Sequence, residues 1–196
     1  MSSREQIVVA MDWTEFDDDD HSTLCLYLVT NHGRATPLMW STTLKSELAG
    51  KRTAIEQAMV ERLHGWLPSK VQVELLADRC FGDQKLYELL LLYGWDFTIR
   101  FRGVIRVEDS AGDVRPAHGW LLKSARPLLL RDAKVTEDRF AVPAVVVVHA
   151  RGMKEPWCLE TSRRDAKASE VVKRYGRRFT IEETFRDTRT CTLAWD

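Results

Sequence analysis

The sequence predicts an α/β protein, a mixed sheet flanked by helices with a β-rich insertion ahead of the last helix. Two observations carry that expectation. Short β-branched, apolar segments alternate with two helix-periodic stretches over residues 1–102, and closely spaced extended pieces then follow before Ala-, Lys-, Glu- and Arg-rich sequence returns near the end. With 196 residues, 44% apolar content, seven Trp and seven Phe, the chain can fill one large core or a core with an insertion.

Residues 7–13 (IVVAMDW) and 22–30 (STLCLYLVT) read as strands on either side of the polar stretch EFDDDD. Asn31-His32-Gly33 reads as a turn, because Asn and Gly tolerate positive φ. A third strand over 35–42 follows, in which Pro37 favours an edge or a bulge. The three make an antiparallel meander. Thr53 and Glu56 have capping-box spacing, and Ile55, Ala58, Met59, Leu63 and Trp66 recur at helical intervals until Pro68, so a helix is expected over 54–66. Residues 71–77 (VQVELLA) alternate and then turn fully apolar, as a strand buried on both faces does, and end at Asp78. Asp83 is placed to cap a second helix in which Leu86, Leu89, Leu90 and Tyr93 share a face and which Gly94 stops; a strand over 96–102 comes next.

Between 103 and 162 the pieces VIRVE, HGWLL, PLLLR, AVPAVVVVHA and WCLET read as extended, with Pro143 and Pro156 near strand starts. Helix returns from Asp165, with a break at Gly176 and a second capping-box spacing at Thr180 and Glu183. The expected division is 1–102 as the first part of the core, 103–162 as the insertion, whose last strands rejoin the core, and 163–196 as the helix that completes it.

Charge and composition exclude several classes of function. Lys plus Arg and Asp plus Glu both number 29, so the chain is no bulk polycation and any nucleic-acid contact must be local. Residues 1–20 hold one Arg against seven acids, whereas 151–196 hold eleven Lys or Arg against eight. No apolar run approaches the roughly 18 residues that span a bilayer, and the start MSSREQIVVA lacks the layout of a secretion signal, so an intracellular location without membrane contact is expected. Cys25, Cys80, Cys158 and Cys191 include no C-x-x-C pair and are expected to be reduced and mostly buried. The histidines at 21, 32, 64, 118 and 149 show no paired spacing, and no G-x-S-x-G, Walker loop or G-x-G-x-x-G is present.

Three acids stand out by position: Asp12 at the end of the first strand, Asp78 at the end of the central strand, and Glu182 near the terminus. Strand ends are where open α/β sheets place ligands. If the first and fourth strands are neighbours, the two Asp carboxylates converge, and such a cluster repels itself unless cations neutralise it. Hard oxygen ligands suit Mg²⁺ or Mn²⁺, and two such ions about 4 Å apart serve phosphoryl transfer. Each acid also has a purely structural reading, since Asp at a strand end caps turns and Glu in a first helical turn favours the macrodipole. Asp83 is the alternative to Asp78, although it stands where a helix cap is needed. Asp17–Asp20 with His21 lack the alternate ligands and Gly of a calcium loop and read as a solvated turn. Arg100, Arg102 and Arg106 lie on alternating strand positions and read as a solvated edge, with phosphate contact as the alternative.

Tyr175, Arg178, Glu182 and Arg189 are spaced 3, 4 and 7 apart, which on one continuous helix makes a single stripe. This resembles the Tyr-x2-Arg-x3-Glu-x6-Lys signature of bacterial insertion-sequence transposases of the DDE class, with Arg189 in place of the Lys. VVAMDWT resembles the family's first-Asp segment, LLADRCFGD with its Leu-rich helix and FTIRFR the second, and EPWCLETS the strand before the signature helix. The resemblance implies an RNase H-like catalytic domain that cleaves transposon-end DNA and transfers the strand. In it, Asp12, Asp78 and Glu182 would be catalytic and hold two divalent ions, Mg²⁺ or Mn²⁺. Tyr175, Arg178 and Arg189 would grip double-stranded DNA, transposon end and target, in a homodimer in the bacterial cytoplasm at the nucleoid.

Trp13 stands where the family carries a small residue and is expected to crowd the site. The planar fork of Arg189 is not a point ammonium. Gly176 and Thr180 leave Tyr175, Arg178 and Glu182 on one helix or on two. The family also carries a DNA-binding region ahead of the first Asp segment and C-terminal helices for multimerisation, whereas Asp12 is near the start and seven residues follow Arg189. A second expectation is therefore a truncated, non-cutting remnant or regulator that binds DNA or full-length subunits, and a third is an RNase H-like nuclease.

Overall fold

Residues 5–16, 20–30 and 35–181 are described by the computed structural model. Strands β1 (Gln6–Phe16), β2 (His21–Val29) and β3 (Ala35–Leu44) form the expected antiparallel meander. Pro37 lies on the edge strand β3 opposite Tyr27, beside a register shift, as a residue without an N–H requires. β1 overruns the expected 7–13 because its pairing with β2 continues to Phe16 opposite His21 after its other neighbour has stopped. The turn expected at Asn31-His32-Gly33 lies outside the described residues.

Helix α1 (Arg52–Trp66) leads into β4 (Gln72–Ala77), α2 (Gln84–Leu92) and β5 (Asp96–Phe101). β4 is parallel to both β1 and β5 and is buried from Val73 to Ala77, as its apolar run requires. The expected capping box on α1 does not form. Thr53 instead donates its hydroxyl to Asp83 at 3.0 Å, and Glu56 accepts the Trp13 indole N–H at 2.8 Å. Tertiary partners thus outcompete the local cap, and the buried face of α1 is Glu56, Met59, Val60 and Leu63, with Trp66 67% exposed. α2 follows expectation: Asp83 accepts from the Lys85 N–H at 2.8 Å, and Gly94, at φ +63°, reverses the chain.

The later strands are β6 (Arg106–Glu108), β7 (Val114–Pro116), β8 (Leu128–Val135), β9 (Phe140–Val148) and β10 (Trp157–Thr161). HGWLL, expected to be extended, instead contributes to a 3-10 turn at Ala117–Trp120, where the buried Trp120 donates its indole N–H to the Val107 carbonyl. Pro143 lies inside β9, one residue beyond the ladder with β10. Among the described residues the ten strands join one sheet in the order β3-β2-β1-β4-β5-β10-β9-β8-β6-β7. Helices α1 and α2 cover the face bearing Val9, Met11, Leu75, Phe97 and Ile99. Helix α3 (Ala168–Gly176) covers the other, with Val171 and Tyr175 against Val146 and Leu159. The fold is RNase H-like: a mixed sheet with helices on both faces.

No helix among the described residues is long and apolar enough to cross a membrane. Cys25 and Cys158 are buried thiols, whereas Cys80 is exposed on the turn after β4. Cys191 lies outside the described residues.

Among the buried acids, one has a strongly raised pKa. Glu160 on β10 is 2% exposed, and burial pushes its carboxyl up to about 7, with the Tyr87 hydroxyl easing ionisation slightly. That hydroxyl and Glu160 Oε2 lie near each other without completing a well-formed hydrogen bond. A folded-state pKa above the unfolded value means that the stability is fully present below about pH 4.5 and is lost as pH rises through about 7. Urea unfolding between pH 5 and 8 should therefore show a decline of about 3 kcal/mol that Glu160→Gln flattens. An unchanged slope in the variant would remove Glu160 as its cause.

Candidate active site

In the β1–β4 ladder Met11 pairs with Ala77, so Asp12 and Asp78 are the next residues on two adjacent parallel strands. Side chains alternate along a strand, and Val8 and Ala10 on β1, like Glu74 and Leu76 on β4, face the α3 side. Asp12 and Asp78 therefore face that side too. Asp12 does not end its strand, as expected from sequence; it marks the point where β4 stops pairing while β2 continues. Trp13 points to the opposite face, where its indole N–H meets Glu56 and the Arg52 guanidinium lies 5.2 Å from its ring centre. The pleat thus removes the crowding expected of Trp13. Burial raises the Glu56 carboxyl, and the hydrogen bond from Trp13 opposes that rise.

Helix α3 is tied to the sheet by charge. Glu74 is fully buried on β4 and accepts from Arg174 at 2.5 Å, with Arg163 at 3.7 Å; Arg163 also lies 3.6 Å from Asp96. Aromatic packing fixes the segment after the helix. Trp157 meets Tyr175 edge-on at 5.1 Å and stacks on Phe179 at 5.5 Å, and a 3-10 turn at Arg177–Phe179 carries Arg178 between those two rings in sequence. The Gly176 break expected from sequence is thus a change to a tighter turn.

Arg178 is 5% exposed and donates from Nη2 to Asp12 Oδ1 at 2.7 Å, while its Nη1 lies 3.9 Å from Asp78 Oδ2. The Tyr175 hydroxyl donates to Asp78 Oδ1 at 3.5 Å; its pKa is raised by burial, against the pull of Arg178. Asp78 also accepts from the Arg79 N–H at 2.7 Å, so it caps the following turn while facing the site. Tyr175 and Arg178 are brought to the acids, with their polar ends directed at the two carboxylates. Glu182 and Arg189 lie outside the described residues, as do Glu183 and Asp17–Asp19. Asp83 is engaged with α1 and α2, on the other side of the sheet.

Two residues here were not singled out from sequence as parts of this site. Arg100, expected on a solvated edge, is 8% exposed because β5 lies inside the sheet between β4 and β10. Its Nη1 is 3.9 Å from Asp78 and its Nη2 is 2.9 Å from Glu155. Glu155 also pairs with Arg79 at 3.3 Å, and Arg100 holds its carboxyl below the ordinary range. The alternation 96, 98, 100 was a signal for Arg100, but the sequence did not say which strand lay beside β4. Arg102 and Arg106 are exposed as expected.

Like charges about 4 Å apart repel by about 4 kcal/mol in a partly screened site. Asp12 and Asp78 face the same side of the sheet, and Arg178 places a cation beside both. Their hard oxygens fit Mg²⁺ or Mn²⁺, and a guanidinium bonded to Asp12 at 2.7 Å and lying 3.9 Å from Asp78 shows that a single cationic group is shared by both. Among the described residues no group of three His, Cys, Asp or Glu forms a metal cluster.

The anchoring of α3 gives a measurable contrast. Arg174→Met strips the buried Glu74 of its nearest counter-charge and should cost about 3 kcal/mol in urea unfolding. Removing the exposed Arg164, whose two bonds to Asp132 are both 2.7 Å, should cost under about 1 kcal/mol. Equal costs would contradict the anchoring role of Glu74.

Among solved structures the chain is similar to Endonuclease V of Ciona intestinalis, with a TM-score of 0.45 and 14% identity over 96% of this chain and 86% of that one. It is similar to Endonuclease V from Bacillus subtilis at 0.44 and 10%, over 96% and 80%. Argonaute from Marinitoga piezophila gives 0.31 and 11%, over 88% of this chain and 26% of that one. No curated protein matches the chain significantly. A family model described as the transposase DDE domain matches residues 28–194, a stretch that includes Asp78, Tyr175, Arg178, Glu182 and Arg189 and begins after Asp12. That match spans well over half the sequence, and the chain belongs to the transposase DDE domain family.

Proposed function

We propose that this chain is a catalytic domain that cleaves transposon-end DNA and joins the freed end to target DNA. The observation that carries the proposal is the convergence of Asp12 and Asp78 on one sheet face beneath Tyr175 and Arg178. In this reading Asp12, Asp78 and Glu182 hold two divalent ions, Mg²⁺ or Mn²⁺, which when bound supply Lewis-acid charge to a phosphate and its leaving oxygen. Asp12 and Asp78 contribute fixed carboxylate oxygens from two rigid strands. Arg178, Arg100 and Arg189 offer guanidinium charge to phosphate oxygens, and the Tyr175 hydroxyl positions the backbone. A water oxygen attacks the phosphorus at the transposon end and gives up a proton to solvent as the P–O3′ bond breaks, and the leaving 3′ oxygen takes a proton from solvent to become a hydroxyl. That hydroxyl then attacks a target phosphodiester, forming a new P–O3′ bond and losing its proton to solvent as the target's own P–O3′ bond breaks and its 3′ oxygen leaves protonated from solvent. No bond to the protein is needed.

An open groove that includes Arg100, Lys154 and Trp157 supports a DNA path on the face that bears the acids. The partners in this reading are transposon-end and target duplexes and a second copy of the chain, in the bacterial cytoplasm at the nucleoid. The division into core 1–102, insertion 103–162 and closing segment 163–196 belongs to the same proposal, and the pairing of β10 with β5 supports a return to the core. A second reading is a non-cutting remnant or regulator, and the observation favouring it is that Arg178 already neutralises the acids. An RNase H-like nuclease is the third.

Nicking of labelled duplex in Mn²⁺ or Mg²⁺ separates the three. The proposal expects metal-dependent nicking at transposon ends that falls by about a thousandfold in Asp78→Asn and Asp12→Asn. Circular dichroism should show both variants folded. Nicking retained by either variant would sink the site assignment. Nicking regardless of sequence would favour the nuclease, and none from the folded wild type the regulator.

A further inference from the structure

We infer that Arg178 is a built-in counter-cation of the Asp12–Asp78 pair and competes with divalent metal for it, an inference that rests on the catalytic reading above. One planar guanidinium addresses both acids, with Nη2 at 2.7 Å from Asp12 and Nη1 at 3.9 Å from Asp78. It is 5% exposed, and Tyr175 and Phe179, both packed on Trp157, bracket it in the chain. A hard divalent ion draws on the same carboxylate oxygens at about 2.1 Å, so it would stand as a like charge against a buried guanidinium. Full metal affinity therefore requires Arg178 to withdraw. Arg100 differs: it approaches only the Oδ1 of Asp78 and is committed to Glu155 at 2.9 Å and to the Pro156 carbonyl at 3.3 Å. It does not span the pair.

The test is Mn²⁺ binding to the full chain, followed by the electron paramagnetic resonance of free Mn²⁺. It uses wild type and Arg178→Gln, each with and without Asp78→Asn. Competition predicts that Arg178→Gln binds about tenfold more tightly, within the range of ordinary coupling between two ligands of one site, and that Asp78→Asn removes the gain. Wild-type binding that depends on Asp78 but is equal or weaker in folded Arg178→Gln overturns the inference and leaves the catalytic reading standing. Absence of any Asp78-dependent binding in both overturns the two together. Should Arg178→Gln fail to fold, the wild type alone decides through the side-chain Nε–H resonance of Arg178 during a Mg²⁺ titration. A shift that saturates with the metal supports competition, and a resonance unmoved while the Asp78 carboxyl carbon shifts contradicts it.

Discussion

Two carboxylates carried side by side on adjacent parallel strands repel each other, and the rest of this molecule is arranged around that constraint. The β1–β4 ladder runs to Met11 opposite Ala77, and the pleat sets the next residues, Asp12 and Asp78, toward one sheet face. A cation must be brought to them, and the chain does so from the far end of the sequence. Arg178 is separated from Asp12 by 166 positions and still reaches it at 2.7 Å. Sheet pairing, the placement of α3 and the chemistry of the site are therefore one problem.

The delivery of Arg178 depends on groups that never touch the acids. Glu74 lies on β4, the strand that leads into Asp78, and holds Arg174, one residue before Tyr175 in the helix. One strand thus bears both an acid of the site and the anchor of the helix that reaches it. Trp157 adds an apolar stop on the same face, and Glu155, just before it in sequence, draws Arg100 and Arg79 around Asp78. An alternating array of Asp12, Asp78 and Glu155 with Arg178, Arg100 and Arg79 results. Charges in such an array balance locally, in keeping with a net charge of zero over the whole sequence.

Much of this was legible in the sequence because it rests on period and punctuation. The apolar run before Asp78, the Asp83 cap, the Gly94 stop and the edge position of Pro37 are local rules, and the structure follows them. The capping box at Thr53 was illegible because Asp83 and Trp13, distant in sequence, claim its two side chains. Trp13 was expected to crowd Asp12, yet the alternation of a strand sends neighbours to opposite faces. Arg100 was assigned to an edge because composition cannot give strand order, and only the placement of β5 between β4 and β10 turns it toward Asp78. The signature Tyr175 and Arg178 were legible as a pattern. Their burial against the acids was not, since it depends on the turn at Arg177–Phe179 and on Trp157.

In the proposed reading, Asp12 and Asp78 form a cation site that Arg178 fills when no metal does. Anomalous scattering from crystals grown in Mn²⁺ tests it most directly. The expected result is a peak within about 2.2 Å of an oxygen of each carboxylate, with the Arg178 guanidinium drawn back from both. A Mn²⁺ peak elsewhere, or one beside the acids with Arg178 still bridging them, would contradict it.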